Sequence, residues 1–363
     1  MAFLLGTVFI IFLSYALTPL HLIKKETVLL ISIASLLIYC YIERKSLSGF
    51  GSLKGKTPEA LAIILFITVL LLRLSVIPGL IAPPHDDPKF HSLLTRMIVE
   101  TSSLPSTYGH YAPPGFENSS VSYCPGFHSV AAFNSLLLNT SAVDAVMLTT
   151  QIYNALIGLT AYFLTKRIFK NWKACLGALF FASFVNSYPN NYWIGGGANA
   201  EVFSIFLVLT SMAFLISIAG QRNDHNIFWM GFILTYALLS SHVFASFLLV
   251  SALISLLASI EHMRRCVLAY TAGSAVSLLV FFATHQNLFF ATYEKREYLI
   301  WFFEDFSSKL LPLKGSDVIA FHGNFIFALL HALITHFGTV AVILTLVGGV
   351  SMLLSRRRRE LLF

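Results

Sequence analysis

Long apolar runs separated by short polar or basic segments make up most of the chain. Ten such runs are visible, and most approach the ~20 residues that a helix needs to cross ~30 Å of hydrocarbon. The runs cover 2–21, 27–42, 59–82, 144–166, 173–189, 198–219, 226–242, 243–261, 264–285 and 324–354. The pattern predicts an all-α, polytopic membrane protein with about 10 transmembrane helices.

Composition agrees with this fold class and excludes a water-soluble domain. Of the 363 residues, 56% are hydrophobic and only 11% are charged, and the mean hydropathy is +0.76. The net charge of +7 comes from short basic clusters between apolar runs, which is typical of topology signals rather than of nucleic-acid binding. We therefore expect an integral, multi-pass membrane protein with no nucleic-acid partner.

Basic clusters also predict which loops face the cytoplasm. The strongest marker is the run Arg356-Arg357-Arg358-Arg359, which predicts a cytoplasmic C-terminus. Counting spans backwards places the other basic clusters on the same side, at 264–265, 222 and 166–173. Two long loops, 83–143 and 286–323, then face outwards.

This topology depends on one short apolar run and carries one inconsistency. The run 127–138 is too short to cross a bilayer, so it is predicted to form an interfacial or re-entrant helix. Lys24 and Lys25 fall on the predicted outer side, against the positive-inside rule.

A polar stretch divides the chain into two parts. Residues 43–56 are rich in Gly, Ser and Lys, which is typical of a linker. We predict an N-terminal transmembrane hairpin with a cytoplasmic linker over 1–58, and a main membrane module over 59–363.

Ionisable residues concentrate directly after the third apolar run, in Pro83-Pro84-His85-Asp86-Asp87-Pro88-Lys89-Phe90-His91. A helix beginning near Pro88, with Asp87 as its cap, would bring Asp87 and His91 together. Capping explains Asp87 nearly as well as catalysis does, but it does not explain Asp86. Adjacent carboxylates beside a membrane tend to persist where one acts as a base or where a cation neutralises them.

A metal is one alternative use of this segment. Asp86, Asp87 and His91 could bind a divalent cation such as Mg²⁺ or Mn²⁺, although the histidine spacings match no defined site. No cofactor is otherwise predicted.

The rest of the first predicted outer loop has a recognisable order of parts. An amphipathic stretch over 89–101 precedes a Tyr, Pro and Gly segment, Tyr108-Gly-His-Tyr-Ala-Pro-Pro-Gly115, and then the short apolar run after Tyr123-Cys-Pro-Gly. The next span closes on Lys166-Arg-Ile-Phe-Lys170. This order resembles the GT-C superfamily of membrane glycosyltransferases, which includes protein O-mannosyltransferases and the aminoarabinose transferases of lipid A.

The resemblance covers about 59–285 and includes two further segments. Trp193-Ile-Gly-Gly-Gly-Ala-Asn-Ala-Glu201 lies where the family often opens a span with a polar or acidic residue. The run 231–242, ending in Ser-Ser-His, is similar to the family's span that ends in a Thr-His or Thr-Lys pair. Two features depart from the family: His-Asp-Asp replaces the usual Asp-Glu pair, and no large soluble domain follows the last span. A minimal or partner-dependent form is implied.

The resemblance implies a reaction. A sugar would pass, with inversion, from a polyprenyl- or dolichyl-phosphate donor to an unknown acceptor on the extracytoplasmic face. Asp86, with Asp87, would be catalytic, and Asp86 would act as general base toward the acceptor hydroxyl. The candidates for the donor phosphate are Lys89, Arg96, Lys295 and Arg296. Pairing with Glu294 and Glu297, or snorkelling to headgroups, is the alternative for the last two.

Other polar residues near the predicted outer ends of spans are expected to bind substrate. They are His85, His91, Tyr123, His128, Glu201 and His242. For Glu201 and His242 a cap or a buried hydrogen bond is an equally good explanation. Two other functions stay open: a non-catalytic GT-C-like scaffold subunit of a membrane complex, and a lipid or solute transporter. The loop position of the acidic pair and the lack of matching halves argue against transport.

Overall fold

A computed structural model describes residues 2–47, 57–75, 77, 86–112, 114–115, 117–121, 123–169, 171–185, 199–218, 224–242 and 264–285. This part is helical, and its only β-type pairing is an isolated bridge between Thr107 and Ser120. The ten helices are α1 Ala2–Leu17, α2 Lys25–Leu47, α3 Thr57–Leu74, α4 Asp86–Thr101, α5 Gly126–Leu138, α6 Ala142–Phe169, α7 Trp172–Phe180, α8 Asn199–Ile218, α9 Asp224–Ser241 and α10 Arg264–Thr284.

The all-α prediction is confirmed for the described residues. Eight of the predicted spans coincide with α1, α2, α3, α6, α7, α8, α9 and α10. The remaining two, 243–261 and 324–354, lie outside the described residues. Three helices are long and apolar enough to cross a membrane, Ala142–Phe169, Asn199–Ser217 and Arg265–Thr284, so the count of ten transmembrane helices stays a prediction.

Helix α6 forms the centre of the bundle. One side of it packs in parallel against α8, where the Tyr153 ring meets that of Phe203 at a centroid distance of 4.7 Å. Further along, the hydroxyls of Thr160 and Thr210 are 3.4 Å apart. The constant offset of 50 residues shows that α6 and α8 run in the same direction.

Small residues set the packing of α9 on α10. A Cβ at Gly231 would lie 2.3 Å from the Tyr270 carbonyl oxygen, and one at Gly273 would lie 2.0 Å from the Phe228 carbonyl oxygen. Larger side chains would separate the two backbones, and such close contact through small residues is typical of helix pairs in membranes. Four residues beyond the Gly231–Tyr270 contact on both helices, Thr235 Oγ1 donates to Ser274 Oγ at 2.8 Å, so α9 and α10 are parallel.

Tertiary contacts define two ends of the bundle. At the first, which we call the loop end, the Tyr15 hydroxyl donates to Ser240 Oγ at 3.3 Å, and Lys25 Nζ donates to Asn139 Oδ1 at 3.0 Å. At the opposite, basic end, Lys166 Nζ and Glu59 Oε1 are 2.6 Å apart. Lys25 therefore shares an end with the first predicted outer loop, as the span count requires. Which membrane face each end meets stays a prediction.

One local prediction about the first outer loop needs correction. Helix α4 begins at Asp86, two residues earlier than predicted, so Asp87 lies inside the first turn rather than at the cap.

Helix α5 forms over the short run predicted to be interfacial or re-entrant. Its residues from Gly126 to Phe133 are all buried, because its neighbours α1, α4, α6 and α9 cover it.

Candidate functional site

A buried histidine pair lies at the loop end, between α4 and α5. Nδ1 of His91 is 2.8 Å from Nε2 of His128, and both residues are only 1% exposed. The pair arises because the inward face of α4, with His91, Leu94, Thr95 and Ile98, follows a helical period and packs on α5. The predicted amphipathic stretch over 89–101 is thereby confirmed.

Backbone geometry fixes the direction of the hydrogen bond in this pair. His128 Nδ1 lies 2.9 Å from the carbonyl oxygen of Cys124, and a carbonyl can only accept, so Nδ1 carries the proton. In the neutral ring Nε2 then accepts from His91 Nδ1, which leaves the imidazole lone pair of His91 on Nε2. The pair can therefore hold one extra proton and pass it between the two rings.

Aromatic rings enclose the pair. The ring of His91 meets those of Tyr123 and Phe127 edge-on at 5.4 and 5.5 Å, and Phe90 stacks on Tyr123 at 6.3 Å. These contacts bring together His91, Tyr123 and His128, three of the residues predicted to bind substrate. They also limit rotation of the imidazoles, which keeps the hydrogen bond aligned.

The predicted acidic pair lies in the first turn of the same helix. Asp86 and Asp87 open α4, five and four residues before His91, and the positive end of a helix dipole stabilises carboxylates in this position. The side chains of these two aspartates are outside the described part of the chain.

Of the predicted phosphate-binding cations, Arg96 lies on the exposed face of α4. Its Nε is 2.6 Å from Glu100 Oε1, and its side chain is 64% exposed. Glu100 also accepts a hydrogen bond from the Tyr111 hydroxyl. That bond first, and Arg96 second, hold the pKa of Glu100 below its usual range. Arg96 thus belongs to a surface network, facing away from His91. Lys89 is exposed near the helix start, while His85, Lys295 and Arg296 lie outside the described residues.

Glu201 and His242 also belong to the loop end. Glu201 is half-buried in the first turn of α8, two residues before Phe203, whose ring lies 5.8 Å from that of Phe127. His242 is half-buried after the end of α9, where its backbone N–H donates to the Leu238 carbonyl at 2.9 Å. The predicted substrate residues of the described part therefore lie on α4, α5 and α8, just before α5 (Tyr123) and just after α9 (His242), at one end of the bundle.

Sequence reasoning missed an aromatic and histidine cluster beside this site. The His285 ring stacks on Phe281 at 4.3 Å and meets Tyr15 edge-on at 5.3 Å. Tyr236 packs against both Tyr15 and Phe281. No sequence motif links these residues, since α1, α9 and α10 are distant in the chain.

Sequence reasoning also missed a buried arginine inside the bundle. Arg73 of α3 is 6% exposed, and its Nη2 donates to the Ser183 carbonyl oxygen at 3.0 Å. Ser183 lies in a π-helical turn, Phe181–Val185, that follows α7. The sequence could have pointed to Arg73, because a charged residue within an apolar run such as 59–82 is treated as a functional-site hypothesis by default.

The metal prediction is not supported by the described side chains. Among them, no three His, Cys, Asp or Glu residues lie close enough together to hold a metal ion. Asp86 and Asp87, two of the three predicted ligands, fall outside that set.

No protein-family profile matches the chain, and no curated protein sequence is significantly similar to it.

Proposed function

We propose that the protein is a membrane glycosyltransferase that uses a sugar linked to a polyprenyl or dolichyl phosphate. The observation that carries the proposal is the buried His91–His128 pair, whose His91 lies on the helix that opens with Asp86 and Asp87. Sugar transfer to a hydroxyl requires removal of one proton, and this arrangement puts two carboxylates and a hydrogen-bonded histidine pair at one end of the bundle. The reaction class, sugar transfer from a lipid phosphate, comes from the resemblance of the motif order to that of the GT-C superfamily.

In the proposed mechanism, Asp86 accepts the proton of the acceptor hydroxyl as its oxygen attacks the anomeric carbon. The bond to the lipid phosphate breaks on the opposite side of that carbon, which inverts its configuration, and the phosphate leaves with the bonding electrons. The His91–His128 pair offers a second proton-accepting group at the same end of the bundle. The aromatic rings of Tyr123 and Phe90 offer a surface for the sugar.

Asp86→Asn tests this proposal. We expect it to abolish sugar transfer from a polyprenyl-phosphate donor in proteoliposomes, while the melting temperature stays within a few degrees of the wild-type value. Asp144→Asn is the matched control, since Asp144 also opens a helix at the loop end but is exposed and bonds to Ser141. Undiminished turnover by Asp86→Asn would refute the catalytic assignment and favour a scaffold subunit.

One observation favours transport as a second candidate function. Arg73 and several polar residues of α6 are buried within the bundle. Transporters hold their substrates at such positions rather than in loops. Counterflow of a labelled solute across proteoliposomes, without sugar transfer, would distinguish a transporter from an enzyme.

A further inference from the structure

An exposed hairpin in the first predicted outer loop carries a modification motif that the proposed function does not use. The motif is Asn118-Ser-Ser120, which has the Asn-X-Ser form of an acceptor for N-linked glycosylation. A second motif of the same form, Asn139-Thr-Ser141, stands between α5 and α6. The structure gives the two motifs very different surroundings.

Backbone hydrogen bonds build the hairpin around the first motif. The Tyr108 N–H donates to the Ser119 carbonyl oxygen at 3.1 Å. The Gly109 N–H donates to the Glu117 carbonyl oxygen at 2.8 Å. Asn118 lies between these two acceptors, so its backbone is held in the second arm of the hairpin.

The hairpin packs on α4 by one face only. Val121, at the end of the second arm, is buried in a cluster with Leu94 and Met97 of α4. Asn118 and Ser120, by contrast, are both exposed. The motif therefore lies on the face that α4 does not cover, where a modifying enzyme can reach it.

Neither polar group of the motif is used inside the described part of the protein. Asparagine is common in turns because its side chain hydrogen-bonds to the backbone nearby. Among the described residues, however, neither the Asn118 amide nor the Ser120 hydroxyl makes a hydrogen bond. Turn formation therefore does not explain Asn118, and both groups are available to an enzyme that recognises the asparagine and the hydroxyl two residues later.

The second motif is engaged at both positions. Lys25 Nζ donates to Asn139 Oδ1 at 3.0 Å, and Asn139 ends α5 in the left-handed conformation, with a φ of 55°. Ser141 caps the start of α6, since its Oγ accepts from the Asp144 N–H at 3.1 Å. Modification of Asn139 would have to break the bond to Lys25 beside a capped helix.

Distance from the membrane also separates the motifs. Helix α6 begins at Ala142 and is long and apolar enough to cross a membrane. Asn139 is three residues before Ala142, whereas Asn118 is 24 residues before it. A transferase embedded in the same membrane needs an acceptor that extends away from the adjacent span, and only the hairpin provides one.

We propose that Asn118, and not Asn139, is a site of N-linked glycosylation by a membrane oligosaccharyltransferase. The Asn118 amide nitrogen attacks the anomeric carbon of a glycan carried on a lipid phosphate or diphosphate, and its proton passes to a base of the transferase. The bond from that carbon to the phosphate oxygen breaks, and the lipid phosphate leaves with the bonding electrons. The site requires the loop end to face the extracytoplasmic side, as the basic clusters predict, and it does not depend on sugar transfer by this protein.

Cell-free translation of the full chain with microsomes that contain an oligosaccharyltransferase tests the proposal. We expect the wild type to gain one glycan, seen as a single shift in gel mobility that an endoglycosidase removes. Asn118→Gln and Ser120→Ala should both lose the shift. Ser119→Ala, which keeps the Asn-X-Ser form, and Asn139→Gln are the matched controls, and both should keep it.

The absence of an endoglycosidase-sensitive shift in the wild type would overturn the proposal. A shift that survives in Asn118→Gln and disappears in Asn139→Gln would do the same, and so would two shifts of which each variant loses one. Asp86→Asn should be glycosylated as the wild type is, so failure of the proposed sugar transfer and failure of this site remain distinguishable.

Discussion

Two buried polar regions of this protein differ in how completely their atoms are paired. In the His91–His128 region the donors and acceptors form a chain that ends on the Cys124 carbonyl. On α6, by contrast, the buried amide of Asn154 lacks a hydrogen-bond partner among the described residues. The first region pairs its own side chains, and the second leaves a buried polar side chain without a pair in the described part of the chain.

This difference has opposite consequences for stability. Removing one partner of a buried hydrogen bond leaves the other unpaired, which lowers the stability of the folded state. Removing a buried polar group that has no partner removes its desolvation penalty, which raises that stability instead. Substitutions of similar size should therefore change stability in opposite directions in the two regions.

The largest effect is expected at His128. His128→Leu leaves both His91 Nδ1 and the Cys124 carbonyl without their bonds, so the free energy of unfolding should fall by about 2–4 kcal/mol. Thermal or SDS unfolding in detergent measures this change, and His110→Leu, at an exposed position, is the matched control. The double variant with His91→Leu should lose less than the sum of the two single changes, by about 1 kcal/mol. Simple additivity would show that the pair does not act as a unit.

Substitutions at two asparagines test whether stability rises in one region and falls in the other. Asn154→Leu removes unpaired atoms and should raise the free energy of unfolding by about 1 kcal/mol. Asn134→Leu breaks the bond from Asn134 Nδ2 to Thr149 Oγ1, 2.9 Å long, and should lower it by about 1 kcal/mol. The measurement is the same unfolding titration. A loss of stability in both variants would mean that Asn154 is paired after all.

The smallest effect concerns the exposed face of α4 and its response to acid. The Tyr111 hydroxyl and Arg96 hold the pKa of Glu100 below its ordinary value of 4.5. The folded state thus binds a proton less readily than the unfolded state. The resulting stabilisation is complete above pH 4.5 and is lost as the pH falls through the lowered pKa.

Melting temperatures measured from pH 6 to pH 3 should therefore decrease slightly more for the wild type than for Glu100→Gln. Because the network is exposed, the two proteins should be nearly equal at pH 6. A large difference at pH 6 would mean that the surface network, rather than the histidine pair, holds α4 in place.

Much of the helix layout could be predicted from the sequence, because apolar runs of this length allow few alternatives to helices. The start of α4 could not be placed to the residue, since Asp87 and Pro88 satisfy the rules for several positions in a first turn. The sequence also left open whether α5 is interfacial or re-entrant, because its composition suits both, and only the packing of α1, α4, α6 and α9 buries it.

The candidate site was predictable in part. His91 and His128 were both candidates, but their contact spans 37 residues and depends on the packing of α4 against α5. Arg96 was a predicted phosphate ligand, and only the rotation of α4 shows that it lies beside Glu100. Arg73 carried a clear signal, yet its bond to the Ser183 carbonyl forms only once α3 packs beside the turn that follows α7.

The sequence by itself determined the class of protein and the positions of most helices, because hydrophobic run length and charge are local properties of the chain. It also determined which ionisable residues stand beside or inside apolar runs. Only the tertiary structure decided which of these residues share a site, since hydrogen bonds such as His91–His128 and Arg73–Ser183 form between helices far apart in sequence. Side-chain pairing depends on helix rotation and register, and these are set by packing across the whole bundle.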